Sequence, residues 1–152
     1  MKKQALITGA TSGIGRATAL RLAAERYDIT ATGRRAERLE TLRREIEAAG
    51  GRCTALVFDV RSEAEVRKFL SPLERVDLLI NNAGLAAGLE HIDQGDTADW
   101  DAMIDTNVKG LLYVTRVITP KMVAAGGGHV FNIGSIAGLS LIHISPTPGR
   151  AG

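Results

Sequence analysis

The segment Thr8-Gly9-Ala10-Thr11-Ser12-Gly13-Ile14-Gly15 could hold a phosphate, and it follows the short apolar run Ala5-Leu6-Ile7. Glycine lets the backbone approach a pyrophosphate closely. A helix starting at once supplies free amide donors and the positive end of its dipole. The same glycines suit a tight turn with close helix–strand packing, so the loop alone leaves both readings open. The context favours the phosphate, with a strand before, a helix after and a βαβ-length segment beyond. The spacing Gly-x-x-x-Gly-x-Gly also differs from the commoner Gly-x-Gly-x-x-Gly. Metal chemistry has no comparable support. His91, His129 and His143 are scattered, with no carboxylate or cysteine at ligand spacing, so no metal is expected. Cys53, the single cysteine, is expected to be a small buried hydrophobe in a reducing compartment.

The apolar pattern supplies the elements that must position this loop. Residues 13–26 read as an alanine-rich helix with Ala17, Leu20 and Ala24 at helical spacing. Residues 27–32 are rich in β-formers and stop at Gly33. Leu39, Leu42, Ile46 and Ala49 mark a second helix, ended by Gly50-Gly51. Residues 53–58 read as a strand. Ser62 is an expected N-cap, with Glu65 completing a capping box, and the helix would bury Val66, Phe69 or Leu70, and Leu73.

Residues 77–80 read as a fourth strand, with a loop from Asn81 to about Thr97. Residues 99–125 read as one long helix with an apolar face of Trp100, Ile104, Val108, Leu111, Thr115, Ile118 and Met122, bent at Pro120. Tyr113 is read as packing, and residues 129–133 as a fifth strand opened by His129. Such alternation implies parallel strands with helical crossovers on both faces. The expected fold is α/β, a Rossmann-like doubly wound parallel sheet, incomplete, with about five strands in the order 3-2-1-4-5. Ligands bind such sheets at the carboxyl ends of the strands, near the topological switch point.

Thr8-Gly9-x-x-x-Gly13-x-Gly15 resembles the cofactor loop of the short-chain dehydrogenase/reductase family. Further marks follow in order: Asp59-Val60, Asn81-Asn82-Ala83-Gly84, Asn107 and Ile133-Gly134-Ser135. The stretches Ala31-Thr32-Gly33-Arg34-Arg35, Asp99-Trp100-x-x-Met103-Ile104-Asp105-Thr106-Asn107 and His129-Val130-x-Asn132-Ile133-Gly134-Ser135 look like the bacterial NADP-dependent 3-hydroxy acid dehydrogenases, also called serine 3-dehydrogenases.

The resemblance implies a role for each residue. Gly9, Ala10, Thr11, Ser12, Gly13, Ile14 and Gly15 would form the pyrophosphate cradle. Asp59 would accept from the adenine amino group, with the Val60 amide pairing to the ring. Asn82, with Ala83 and Gly84, would fix the fourth strand beside the cofactor. Arg34 and Arg35 follow the second strand, where an acidic residue would hold a ribose 2′-hydroxyl and arginine suits a 2′-phosphate. The cofactor implied is therefore NADP. Ser135 would hold the substrate oxygen for hydride transfer. Asn107 lies on the expected apolar stripe, where a buried amide needs partners; the family uses it to kink the helix and hold a relay water. The implied substrate is a small 3-hydroxy acid, and full-length family members are usually homo-oligomers.

One element of the family pattern is missing. Its acid/base tyrosine and partner lysine would fall where Pro148 and Gly152 stand. The only tyrosines are Tyr27 and Tyr113, and no lysine follows Lys121. Residues 1–140 are expected to be the NADP-binding domain. Residues 141–152 fit nothing in the family and are expected to be a foreign or frameshifted tail. The chain as given is expected to be inactive, which keeps open a non-catalytic dinucleotide-binding module or a non-functional fragment.

Composition bounds the remaining classes. At 152 residues, 45% hydrophobic and 24% charged, the chain has the make-up of one globular domain rather than a disordered segment. A net charge of +2 gives no electrostatic footprint for nucleic acid. No apolar run is long enough for a membrane span, and the start lacks a signal-peptide pattern. A cytoplasmic location is expected.

Overall fold

The computed structural model describes residues 2–88, 90–91 and 93–135. The tail at 141–152, with His143, Pro148 and Gly152, lies outside the described residues. Five parallel strands form one sheet: β1 (Gln4–Ile7), β2 (Asp28–Gly33), β3 (Arg52–Val57), β4 (Leu78–Asn81) and β5 (His129–Asn132). Their order is β3-β2-β1-β4-β5, as expected of a Rossmann-like sheet. Chain crossovers run one way from β1 to β3 and the other way from β4 to β5. The switch point therefore falls between β1 and β4.

Two apolar cores sandwich the sheet, because successive strand residues point to opposite faces. On one face Ala5, Ile7, Ile29, Ala31 and Ile80 meet α1 (Gly13–Ala24) and α2 (Ala36–Ala48) through Ala19, Leu39, Leu42 and Ile46. Cys53 joins this core, and burial pushes its thiol pKa up to about 11. On the other face Leu6 and Leu79 meet α3 (Glu63–Leu70) and α5 (Leu111–Ala124) through Val66, Leu70, Val114, Ile118 and Met122. Tyr113 packs at the edge of this second core. No helix among the described residues is long and apolar enough to cross a membrane.

Several local expectations are corrected. In α1 the buried residues are Gly15 and Ala19, while Ala17 and Ala24 face solvent. Alanine is a strong helix former on any face, so its spacing does not report burial. Asn81 closes β4 rather than opening the loop, and donates through Nδ2 to Asn132 and Thr115, both at 2.9 Å. The capping box is half formed. Ser62 accepts from the Glu65 N–H at 3.3 Å, but the Glu65 carboxylate accepts from the Asp59 N–H at 2.9 Å instead of returning to Ser62.

The long helix is the largest difference. It consists of α4 (Thr97–Ile104), a π-helical turn at Asp105–Gly110, and α5, which continues through Pro120. The wide turn inserts extra chain and rotates the two halves against each other. The buried stripe becomes Gly110, Val114, Ile118 and Met122. Ile104 and Val108, expected to be in the core, are 50% and 51% exposed.

Candidate cofactor site

A cleft of about 370 Å³ opens at the carboxyl ends of the strands, over the switch point. It is lined by Gly9, Thr11 and Ser12 after β1, Gly33 at the end of β2 with Arg34 and Arg35 beyond it, Phe58, Asp59 and Val60 after β3, and Asn82, Ala83, Gly84 and Leu85 after β4. Thr106 of the π-turn completes the wall. Most of the residues singled out in the sequence thus converge on one cavity.

The glycine turn is built by its neighbours. Gly9 has a positive φ of 66°, and a Cβ there would lie 2.8 Å from Ala83 Cα. A side chain at Gly15 would strike the Asn82 amide and come within 2.6 Å of the Gly9 carbonyl. Asn82 donates through Nδ2 to the carbonyls of Thr8 and Gly9, at 3.0 and 3.1 Å. The Thr8 hydroxyl accepts the backbone N–H groups of Asn82 and Ala83, each at 3.0 Å. Thr8 is therefore a structural partner that its place in the motif did not reveal. Ala10 is fully buried and its N–H is spent on the Thr32 carbonyl at 2.9 Å, so it supports the loop from below.

The start of α1 is open to an anion. Its N-cap Ser12 makes no side-chain cap, its first turn carries no acidic residue, and Arg16 makes the first helical bond, to the Ser12 carbonyl. The amides of Gly13, Ile14 and Gly15 precede that ladder. Close backbone approach, uncapped amides and a cationic rim fit a dinucleotide pyrophosphate.

The two arginines after β2 take different positions. Arg35 donates to the Thr11 hydroxyl through Nε and Nη2, and to the Ser12 hydroxyl at 2.8 Å, tying the second loop to the first. Arg34 is 61% exposed at the rim, 3.7 Å from Asp59 Oδ2. Arg61 donates to the same oxygen through Nε and Nη2. Burial would raise the Asp59 pKa, but the side-chain and backbone bonds from Arg61 and the charges of Arg61 and Arg34 outweigh it and hold the carboxyl below its usual range. Arg61 was not singled out in the sequence; an Asp-x-Arg at a strand end is too ordinary a pattern.

Asn107 is not on a buried stripe. It is exposed on the π-turn, where Oδ1 accepts from the Leu85 N–H and Nδ2 donates to the Leu85 carbonyl, both at 2.8 Å. It fastens the loop beyond Gly84 to the helix. Ser135 lies just beyond β5, exposed, and does not line the cleft.

A sequence profile described as short chain dehydrogenase matches residues 3–146. The chain belongs to the short-chain dehydrogenase family. It is 44% identical over 137 residues to the NADP-dependent 3-hydroxy acid dehydrogenase YdfG of Salmonella typhi, covering 88% of this chain and 54% of the relative. It is 46% identical over 138 residues to sulfoacetaldehyde reductase 2 of Chromohalobacter salexigens, with the same coverage. The closed form of serine dehydrogenase complexed with NADP+ superposes with a TM-score of 0.85 at 42% identity, covering 90% of this chain and 56% of that one. This short-chain dehydrogenase chain therefore spans about half the length of the curated relatives it matches.

Proposed function

We propose that this chain is the cofactor-binding part of an NADP-dependent oxidoreductase. The reaction moves a hydride between nicotinamide and the 3-hydroxyl or 3-oxo carbon of a small, serine-like 3-hydroxy acid. The supporting observation is the joint presence of Arg34 and Arg35 on the wall of the same cleft as the glycine turn. Guanidinium forks suit a 2′-phosphate, and no acidic residue stands at that strand end to hold a 2′-hydroxyl. Two of the relatives' names, the NADP-dependent 3-hydroxy acid dehydrogenase and the serine dehydrogenase complexed with NADP+, point the same way for cofactor and substrate class, whereas the sulfoacetaldehyde reductase names another substrate.

Bound NADP supplies the hydride chemistry. The amides of residues 13–15 bind the pyrophosphate, Arg34 and Arg35 the 2′-phosphate, and Asp59 and Val60 the adenine. Asn82, Ala83 and Gly84 form the wall beside the ribose. Ser135 holds the substrate oxygen, and Asn107 keeps the Leu85 loop in place. We assign the acting protein to the cytoplasm.

The same residues support a second reading, a dinucleotide-binding module without turnover. Pro148 and Gly152 stand where a tyrosine acid and its lysine would be needed, and on this reading the 152 residues as given would bind cofactor without catalysis. Titration of the chain with NADPH and NADH, following nicotinamide fluorescence, tests the assignment. NADPH should bind at least about tenfold more tightly. Joint replacement of Arg34 and Arg35 by alanine should weaken NADPH far more than NADH, and equal losses would sink the NADP assignment. Turnover of L-serine or 3-hydroxypropionate above a blank would overturn the claim of inactivity.

A further inference from the structure

We infer that Arg61 is a positioning residue for cofactor recognition, aiming the Asp59 carboxylate at the 6-amino group of the adenine base. The inference rests on the NADP reading above and adds a residue and a specificity to it.

Three donors from Arg61 converge on Asp59. Nε and Nη2 reach Oδ2 at 2.9 and 2.7 Å, and the backbone N–H reaches Oδ1 at 3.0 Å. Arg34 approaches the same Oδ2 only to 3.7 Å, beyond hydrogen-bond range, so it adds charge without direction. The Asp59 backbone is fixed as well. Its N–H donates to Glu65 Oε2 at 2.9 Å and its carbonyl accepts from the Ser62 N–H at 3.1 Å. The carboxylate is therefore set in one orientation while lining the cleft, with 24% of its side chain exposed.

A carboxylate has about four lone-pair sites, and the donors from Arg61 leave acceptor capacity. Ionised, it can only accept. It would welcome an exocyclic amino group and repel a 6-oxo group at the same place. The bonds and charge of Arg61 and the charge of Arg34 outweigh the effect of burial and hold the Asp59 carboxyl below its usual range. A solvent-facing ion pair is ordinarily worth little. The distinction here is that one member of the pair forms part of the cofactor wall.

The test compares two cofactors on the full chain: NADPH and its reduced hypoxanthine counterpart, which carries a 6-oxo group and an N1 proton. The parent should prefer NADPH by about tenfold or more, the range of a hydrogen bond to a charged group. Arg61→Ala and Arg61→Gln should cut that preference at least about fivefold, chiefly by weakening NADPH, and Arg61→Lys should recover part of it. If Arg61→Ala fails to fold, the glutamine and lysine variants carry the comparison. A preference unchanged within about twofold in the folded variants would overturn the role of Arg61. A parent that binds NADPH without preferring adenine overturns this inference and leaves the cofactor reading standing. A parent that binds neither compound overturns the cofactor reading itself.

Discussion

Gln4 donates its backbone N–H to Asp77 Oδ2 at 2.7 Å, across 73 residues of sequence. Asp77 sits where three strands begin. Its own N–H returns to the Gln4 carbonyl and its carbonyl accepts from His129, each at 2.9 Å, while Arg75 forks onto Oδ1. Burial would raise the Asp77 pKa, but the Arg75 and Gln4 bonds and the charges of Arg75 and Lys3 hold it below the usual range. A carboxyl whose pKa is lower folded than unfolded contributes stability above its unfolded pKa and loses it as pH falls through the folded one. Asp77→Asn should therefore destabilise the chain at pH 7 by about 1–3 kcal/mol. The gap should shrink as pH falls through and below the carboxylate range. Urea denaturation at stepped pH measures it, and a constant gap would refute the linkage.

Asn82 is the second long-range tie. Its amide donates to two carbonyls, so Asn82→Asp would set a carboxylate against two acceptors, whereas Asn82→Ala only leaves them unpaired. The aspartate variant should be the worse of the two, with losses of about 2–4 kcal/mol against about 1–3 for alanine. Equal denaturation midpoints would show that the amide hydrogens do not carry the tie.

Gly15→Ala tests the close approach of α1 to the glycine turn. The new methyl would crowd the Gly9 carbonyl and the Asn82 amide. Overpacking of this kind costs about 1–3 kcal/mol, which thermal melting would register. NADPH affinity should fall further than stability alone accounts for, because the displaced atoms belong to the proposed phosphate cradle. A variant with parental melting and binding would contradict the packing described.

Arg26 turns the chain between α1 and β2 with φ of 66°, the one non-glycine residue with positive φ among the described residues. Left-handed backbone costs an ordinary residue about 1–2 kcal/mol, and glycine avoids this while losing some entropy on folding. Arg26→Gly should leave a net gain of about 0.5–1 kcal/mol. A lower melting temperature would show that the Arg26 side chain stabilises the turn by more than the strain it imposes.

The sequence carried the architecture well. Short apolar runs, glycine stops and amphipathic stretches placed all five strands of the sheet within about a residue, and the Rossmann-like fold supplied their order. The cleft was legible because glycine spacing and strand-end residues are local patterns. What stayed hidden depends on geometry that periodicity does not encode. The π-turn at Asp105–Gly110 leaves no mark in an apolar repeat, so Ile104 and Val108 read as core and Asn107 as buried. The Glu65 carboxylate had two possible amide partners near Ser62, and only the folded loop selects Asp59. Arg61 and the Thr8 hydroxyl act through partners that the linear pattern could not weigh.

The tie between Asn82 and the glycine turn also fixes a timetable. Its partners lie 73 and 74 residues upstream. During synthesis the first βαβ unit is complete long before Asn82 emerges from the ribosome, so the nascent turn waits unlocked. Closing so long a span grows only logarithmically in entropic cost, but it must precede any reward from the contact. The glycine turn is thus finished late, when β4 docks against β1. A ligand that recognises only the finished loop stabilises the docked state by mass action and acts as a clasp between the two halves of the sheet.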